Sequence, residues 1–100
     1  MSKARLLVEL WVKPSEADSF VQMFKSEFIA RSRQEEGCET YELWRDLDDP
    51  ARMTIIETWS SPADLERHLG QPWFAQWAPI MEAAQAKPFL VRTMVSVEDR

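Results

Sequence analysis

Glycine is nearly missing: the 100 residues hold two, Gly37 and Gly70. No Gly-rich phosphate cradle can be written with that stock, so neither a P-loop nor a dinucleotide fingerprint is present. One histidine, His68, and one cysteine, Cys38, are too few for a zinc site of the usual His/Cys kind. No nucleophile elbow surrounds any serine, so a Ser-His-Asp hydrolase has no motif to stand on. A lone cysteine forms no internal disulfide, and a reducing, cytoplasmic setting is the expectation. Bases are short too: 12 Lys and Arg face 17 Asp and Glu, a net charge of −5. That balance excludes nucleic acid and an anionic membrane as main partners. No run nears the ~20 apolar residues of a membrane span. Glu9 interrupts the stretch from Met1 to Val12, and no small-residue cleavage site follows it, so no signal peptide is expected there.

What is present reads as one globular domain over 1–100. Hydrophobic residues make up 45% and charged residues 29%, a balance that supports a core. The acids are concentrated. Between Arg33 and Asp49 lie Glu35, Glu36, Glu39, Glu42, Asp46, Asp48 and Asp49 against two arginines. The expectation for this run is a solvated edge.

The pattern of elements is β-α-β-β-α-β. Leu6–Val12 is a short apolar strand stopped by Lys13-Pro14. Ser15 and Asp18 stand in capping-box positions. Ala17, Phe20, Val21, Phe24 and Phe28 follow as one helical stripe, to about Gln34, with Gly37 relieving the exit. Cys38–Arg45 and Arg52–Trp59 are strands joined through Asp48-Asp49-Pro50 as a hairpin. Ser61-Pro62 opens a helix that Gly70 ends. Pro72 starts another stretch to about Ala84, which Pro79 is expected to kink or break. Phe89–Val97 is the last strand. This order predicts a ferredoxin-like α+β fold, four antiparallel strands with helices on one face. Leu6, Val8, Leu10 and Val12 take one face of the first strand, with Leu7 and Trp11 on the other. In the last strand Phe89, Val91, Val95 and Val97 oppose Leu90 and Met94. Both faces are thus read as apolar, and a second copy of the chain is expected to cover the one the helices leave.

Two residues suggest chemistry. Strand parity places Ile55, Glu57 and Trp59 on one face. A carboxylate beside an indole on a buried strand is either paired with a base, Arg92 or Arg45, or poised for chemistry, and pairing is the expectation. His68 lies four residues after Asp64, whose carboxylate could hold one imidazole nitrogen. A general base and a partly exposed surface histidine both remain open. Trp73 is expected in the core or the dimer interface.

The ordered set Glu36-Gly37-Cys38-Glu39-Thr40-Tyr41, Asp48-Asp49-Pro50, Glu57-Thr58-Trp59, His68-Leu69 and Trp73-Phe74 resembles the antibiotic biosynthesis monooxygenase domain family, from Leu6 to Val97. The resemblance implies a ferredoxin-like fold pairing into a dimeric α/β barrel. It also implies a small aromatic substrate: the family includes enzymes that oxidise quinols and polycyclic phenols with O₂ and no cofactor. Trp59 matches a pocket tryptophan of that branch, and His68 falls on the helix lining the pocket. Quinone-forming members can carry Asn and Tyr where this chain has Ile55 and Leu65. Haem-degrading members have a histidine where this chain has Ala78. Isomerase members act on a phosphorylated sugar, for which no cluster of bases is evident. The expected site thus has His68 as base with Trp59, a slot of Tyr41, Phe74 and Trp77 beside Ile55 and Leu65, and Glu57 or Asp64 as orienting groups. The alternatives are a non-catalytic dimeric barrel that binds a small hydrophobic ligand, as in a stress role, and an isomerase of the same family.

Overall fold

Alternating apolar residues over Ala4–Trp11 form strand β1, which lies inside the sheet between β3 (Arg52–Trp59) and β4 (Leu90–Val95). The strand β2 (Cys38–Arg45) completes the order β2-β3-β1-β4, with every neighbouring pair antiparallel. This computed structural model describes residues 2–98; Met1, Asp99 and Arg100 of the expected 1–100 domain lie outside the described residues. The topology is the ferredoxin-like one, and the β2–β3 hairpin turns where the sequence placed it. There Asp46 Oδ2 accepts from the backbone N–H groups of Asp48 and Asp49, and Asp49 Oδ1 from that of Ala51.

The first helix differs from its expectation. Pro14 opens a short 3₁₀ turn, Pro14–Glu16, and Ser15 makes no capping bond. Helix α1 follows in three pieces: α-helical Ala17–Met23, π-helical Phe24–Ile29 and α-helical Ala30–Ser32. The stripe explains the wide middle. Phe20, Phe24, Phe28 and Ser32 recur every four residues and are all buried. An α-helix turns every ~3.6 residues, so a four-residue repeat drifts off the core. A stretch of i→i+5 turns brings it back. Phe24 and Phe28 then stack with ring centroids 4.9 Å apart.

Helix α2 (Pro62–Leu69) starts as expected: Ser61 Oγ accepts from Asp64 N–H at 3.2 Å. Helix α3 (Pro72–Ala83) runs through Pro79 unbroken, so of the expected kink or break the break does not occur. Pro79 is exposed and removes one donor, while Met81 is buried and Trp73, Phe74, Trp77 and Ala78 are half-buried around it. Packing of that face outweighs the lost bond.

The helices cover the sheet face carrying Leu6, Val8, Leu10, Met53, Ile55, Glu57, Trp59 and Tyr41, all buried. The opposite face corrects the expectation of a purely apolar one. Leu7 pairs across to Ile56 there, but Arg5, Glu9 and Arg92 share the surface. Glu9 accepts from Thr54 at 2.7 Å and pairs with Arg52 at 3.0 Å. The Arg52 guanidinium and the Lys87 ammonium each lie over the Trp11 ring, 4.3 and 4.2 Å from its centroid. The last strand is shorter than expected. Val91 and Val95 share the helix side with Val8 and Ala4 yet are 51% and 56% exposed, because the helices stop short of this edge.

Candidate active site

The middle of the sheet carries a row Tyr41–Glu57–Leu6, one residue from each of β2, β3 and β1. Its central member is a carboxylate only 2% exposed. Strand parity forces Glu57 onto the helix side, between the apolar Ile55 and Trp59. Neither expected basic partner reaches it. Arg92 pairs opposite Leu7 on the other face, and Arg45 reaches Asp18. The expectation of a base-paired Glu57 is therefore corrected. Its Oε1 accepts from Trp59 Nε1–H at 3.0 Å, and the Tyr41 hydroxyl also bonds to the carboxyl. Burial pushes the carboxyl up to about 7, with those two bonds pulling down and the charge of Glu35 pushing up.

His68 is buried beside Glu57, at 1% exposure, so a surface histidine is ruled out. Asp64 does not hold it. That carboxylate is engaged by Ser61 at 3.0 Å and Arg67 at 2.9 Å. The holder is Glu35, whose Oε1 lies 2.7 Å from His68 Nδ1. Glu35 Oε2 accepts from Trp73 Nε1–H at 3.0 Å. His68 Nε2 is buried without a hydrogen-bond partner and lies 3.8 Å from Glu57 Oε1. The imidazole is packed against Tyr41, Trp59, Trp73 and Phe74, with the Trp59 centroid 4.6 Å away. Burial lowers the His68 pKa from its ordinary 6.5, and Glu35 opposes that shift.

These groups stand behind a cavity of about 270 Å³ between the sheet and helices α1 and α3. Phe28, Tyr41, Ile55, Phe74, Met81 and Phe89 supply much of its wall, with Leu6 and Val8 as floor. Glu57 is the buried carboxylate on that wall; Glu82, the other acid, is exposed at the rim. Of the residues the sequence singled out, Tyr41, Ile55, Glu57 and Phe74 line the cavity. Trp59 and His68 lie one layer behind, against Glu57. Leu65 is buried on α2 away from the wall, and Trp77 is half-buried with its Nε1 orphaned. Glu35 and Phe28 are the residues sequence reasoning missed. Glu35 was grouped with a solvated acidic run, and its signal was its place just after the Phe20/Phe24/Phe28 stripe. A larger, open groove along β2, lined by Lys25, Arg33, Glu42 and Trp44 among others, contains no buried titratable group. Among the described residues no three His, Cys, Asp or Glu side chains converge to hold a metal ion.

Fold and cavity together define a class: a ferredoxin-like α+β domain with a small apolar pocket, walled by one buried acid that a histidine backs. The sequence model of the family described as antibiotic biosynthesis monooxygenase matches residues 4–79, and the chain belongs to that family. Solved structures agree. A conserved protein from Methanosarcina mazei Go1 is 26% identical with a TM-score of 0.87, over 94% of this chain and 92% of that one. A crystal structure of an antibiotic biosynthesis monooxygenase is also 26% identical, with a TM-score of 0.84 over 94% and 98%. A Bacteroides thetaiotaomicron protein described as a possible oxidoreductase shares the fold at 24% identity, with a TM-score of 0.85 over 95% and 98%.

Proposed function

We propose that this chain is a cofactor-independent monooxygenase that oxidises an electron-rich phenol or quinol with O₂, and that Glu57 is the base that meets the substrate. The observation that carries the reading is a carboxylate set in an apolar wall and held near neutrality by burial. Such a group deprotonates a phenol in a dry slot without leaving the physiological range. His68 acts behind Glu57 rather than as the contacting base. Phe28, Tyr41 and Phe74 hold the ring, and Ile55 sits beside the acid.

The protein's task is to generate an electron-rich phenolate, because side chains do not activate O₂ unaided. Glu57 takes the O–H proton. The phenolate passes one electron to O₂, and the radical pair collapses to form a C–O bond at an open ring position. The stored proton returns to the peroxide oxygen. Glu57 then removes the ring C–H proton as the O–O bond breaks. The departing hydroxide takes that proton and leaves as water, and the carbon becomes a carbonyl. A phenol and O₂ thus give a quinone and water, with no net proton released.

The reading includes a homodimer in a reducing, cytoplasmic setting, the helix-free sheet faces turned toward one another. Among the described residues no helix is long and apolar enough to cross a membrane. Oxygen uptake with a panel of reduced quinones tests the activity. A carrier of hydrophobic ligands would bind them and consume no O₂.

A further inference from the structure

The pocket chemistry uses Glu57 and His68, but the shortest polar contact of the cluster belongs to neither pair of groups on the wall. It is the 2.7 Å contact between Glu35 Oε1 and His68 Nδ1. Glu35 comes from the turn after α1, Glu57 from β3, His68 from α2 and Trp73 from α3. Four segments therefore converge on one imidazole. Glu35 is itself fixed at both oxygens, by His68 and by the Trp73 N–H. A carboxylate only accepts, so Nδ1 must carry the ring's proton in that contact. The neutral imidazole then presents a bare lone pair at Nε2. That atom is the one left buried without a partner, and it faces Glu57 Oε1 at 3.8 Å.

We propose that Glu35 is the positioning residue of this site: it locks His68 with its proton on Nδ1, aims the Nε2 lone pair at Glu57, and so makes the Glu57–His68 pair a store for the substrate's proton. This rests on the reading of Glu57 as the pocket base. The step balances. The substrate O–H bond breaks and its proton goes to Glu57. A protonated Glu57 is a donor to Nε2, and the two draw into hydrogen-bond range. The proton is shared between Glu57 and Nε2, and whenever it sits on Nε2 the Glu35 carboxylate balances the charge of the imidazolium. The proton goes back by the same two atoms to the peroxide oxygen. Because the overall oxidation releases no proton, a buried store serves it and an exit to solvent is not needed.

The charges around His68 are few. Glu35, Glu57 and the Tyr41 hydroxyl face it from the turn, β3 and β2. On its own helix Asp64 is engaged by Arg67 and Ser61. Cys38 stays a neutral thiol, pushed up to about 11 by burial. Arg31 lies over the outer ring of Trp73.

His68 is the chain's single histidine, so the ¹⁵N spectrum of ring-labelled protein reports on it alone. At pH 7.5 the spectrum should show a neutral ring protonated at Nδ1 and bare at Nε2, with no substrate present. Glu35→Gln should lose that single tautomer. Its plateau turnover should fall on the order of 10²-fold. The acid limb of its pH–rate profile should move to lower pH, because a negative charge that raised the Glu57 pKa is gone. The limb reports only the lost charge; the tautomer reports the positioning, and a purely structural role would lower the plateau with the Nδ1–H tautomer kept. Glu35→Asp should restore the tautomer and most of the turnover. Wild-type protein protonated at Nε2 overturns the proposal, as does Glu35→Gln with an unchanged tautomer, wherever its limb lies. Should Glu35→Gln fail to fold, Trp73→Phe removes only the bond to Oε2 and must keep the Nδ1–H tautomer; its loss there overturns the proposal too. A tautomer that behaves as stated in a protein that consumes no O₂ with any reduced quinone leaves Glu35 as positioning residue and removes the monooxygenase reading.

Discussion

An ionised Glu57 in this cavity keeps one indole N–H and one phenol in place of water, and its folded pKa of about 7 records the shortfall. The folded protein binds this proton more tightly than the unfolded chain does. Stability from this group is therefore greatest when the carboxyl is protonated and is lost as pH rises from about 4.5 to about 7, on the order of 3 kcal/mol. His68 runs the other way. Its folded pKa is lowered, so the unfolded chain binds the proton first and acidification below about 6.5 costs stability. Glu57→Gln removes the first slope and leaves the second. Urea midpoints from pH 4.5 to 7.5 should shift steadily in the variant's favour relative to wild type; parallel curves would contradict the assignment. Trp59→Phe removes the N–H that lowers the Glu57 pKa, so its acid limb should move to higher pH, the direction opposite to Glu35→Gln. Trp59→Ala should cost about 3–5 kcal/mol as well, since the indole is fully buried. His68→Ala should lower turnover by 10²–10⁴-fold. It should also destabilise, because it empties a space between four aromatic rings and leaves two carboxylates facing it; a melt with an unchanged midpoint would contradict that packing.

At the scale of elements, much was legible because strand parity and helical spacing are local. The parity of β3 gave Ile55, Glu57 and Trp59 one face, and the structure has them there. Ser61-Pro62 and Asp48-Asp49-Pro50 carry their own turn and cap chemistry. The partner of His68 was not legible. Asp64 is four residues away along a helix, whereas Glu35 is 33 residues away and arrives only when α1 docks. The π-helical stretch escapes a helical reading for a related reason: the four-residue aromatic repeat resembles an ordinary stripe, and only its drift from 3.6 betrays the wider turns. Gly37 has an explanation beyond ending a helix. Its φ is +84°, and a Cβ there would collide with the Asp64 carboxylate that anchors the start of α2. Gly37→Ala should therefore cost about 1–3 kcal/mol. Gly70→Ala, with ordinary contacts and no positive φ, should stay near wild type. Equal denaturant midpoints for the two variants would contradict this.

For the whole molecule, the site is internal to one chain, but the sheet is half-covered. Leu90, Val91 and Val95 are exposed along the β4 edge, and the helix-free face mixes Leu7 and Ile56 with charged residues. A dimer closing these surfaces should bury on the order of 2,000 Å². Light scattering at micromolar concentration should give twice the 11.7 kDa of one chain; a monomer mass would contradict the dimer and leave the pocket chemistry untouched. The central claim is that Glu57 starts a cofactor-free oxidation. It is tested most directly by O₂ uptake with a reduced quinone, in the presence of a chelator and catalase, for wild type and Glu57→Gln side by side across pH. The account predicts uptake by wild type that rises with pH through about 7 and a loss of 10²–10⁴-fold in the variant. Uptake that needs added flavin or metal, or that Glu57→Gln leaves unchanged, would contradict it.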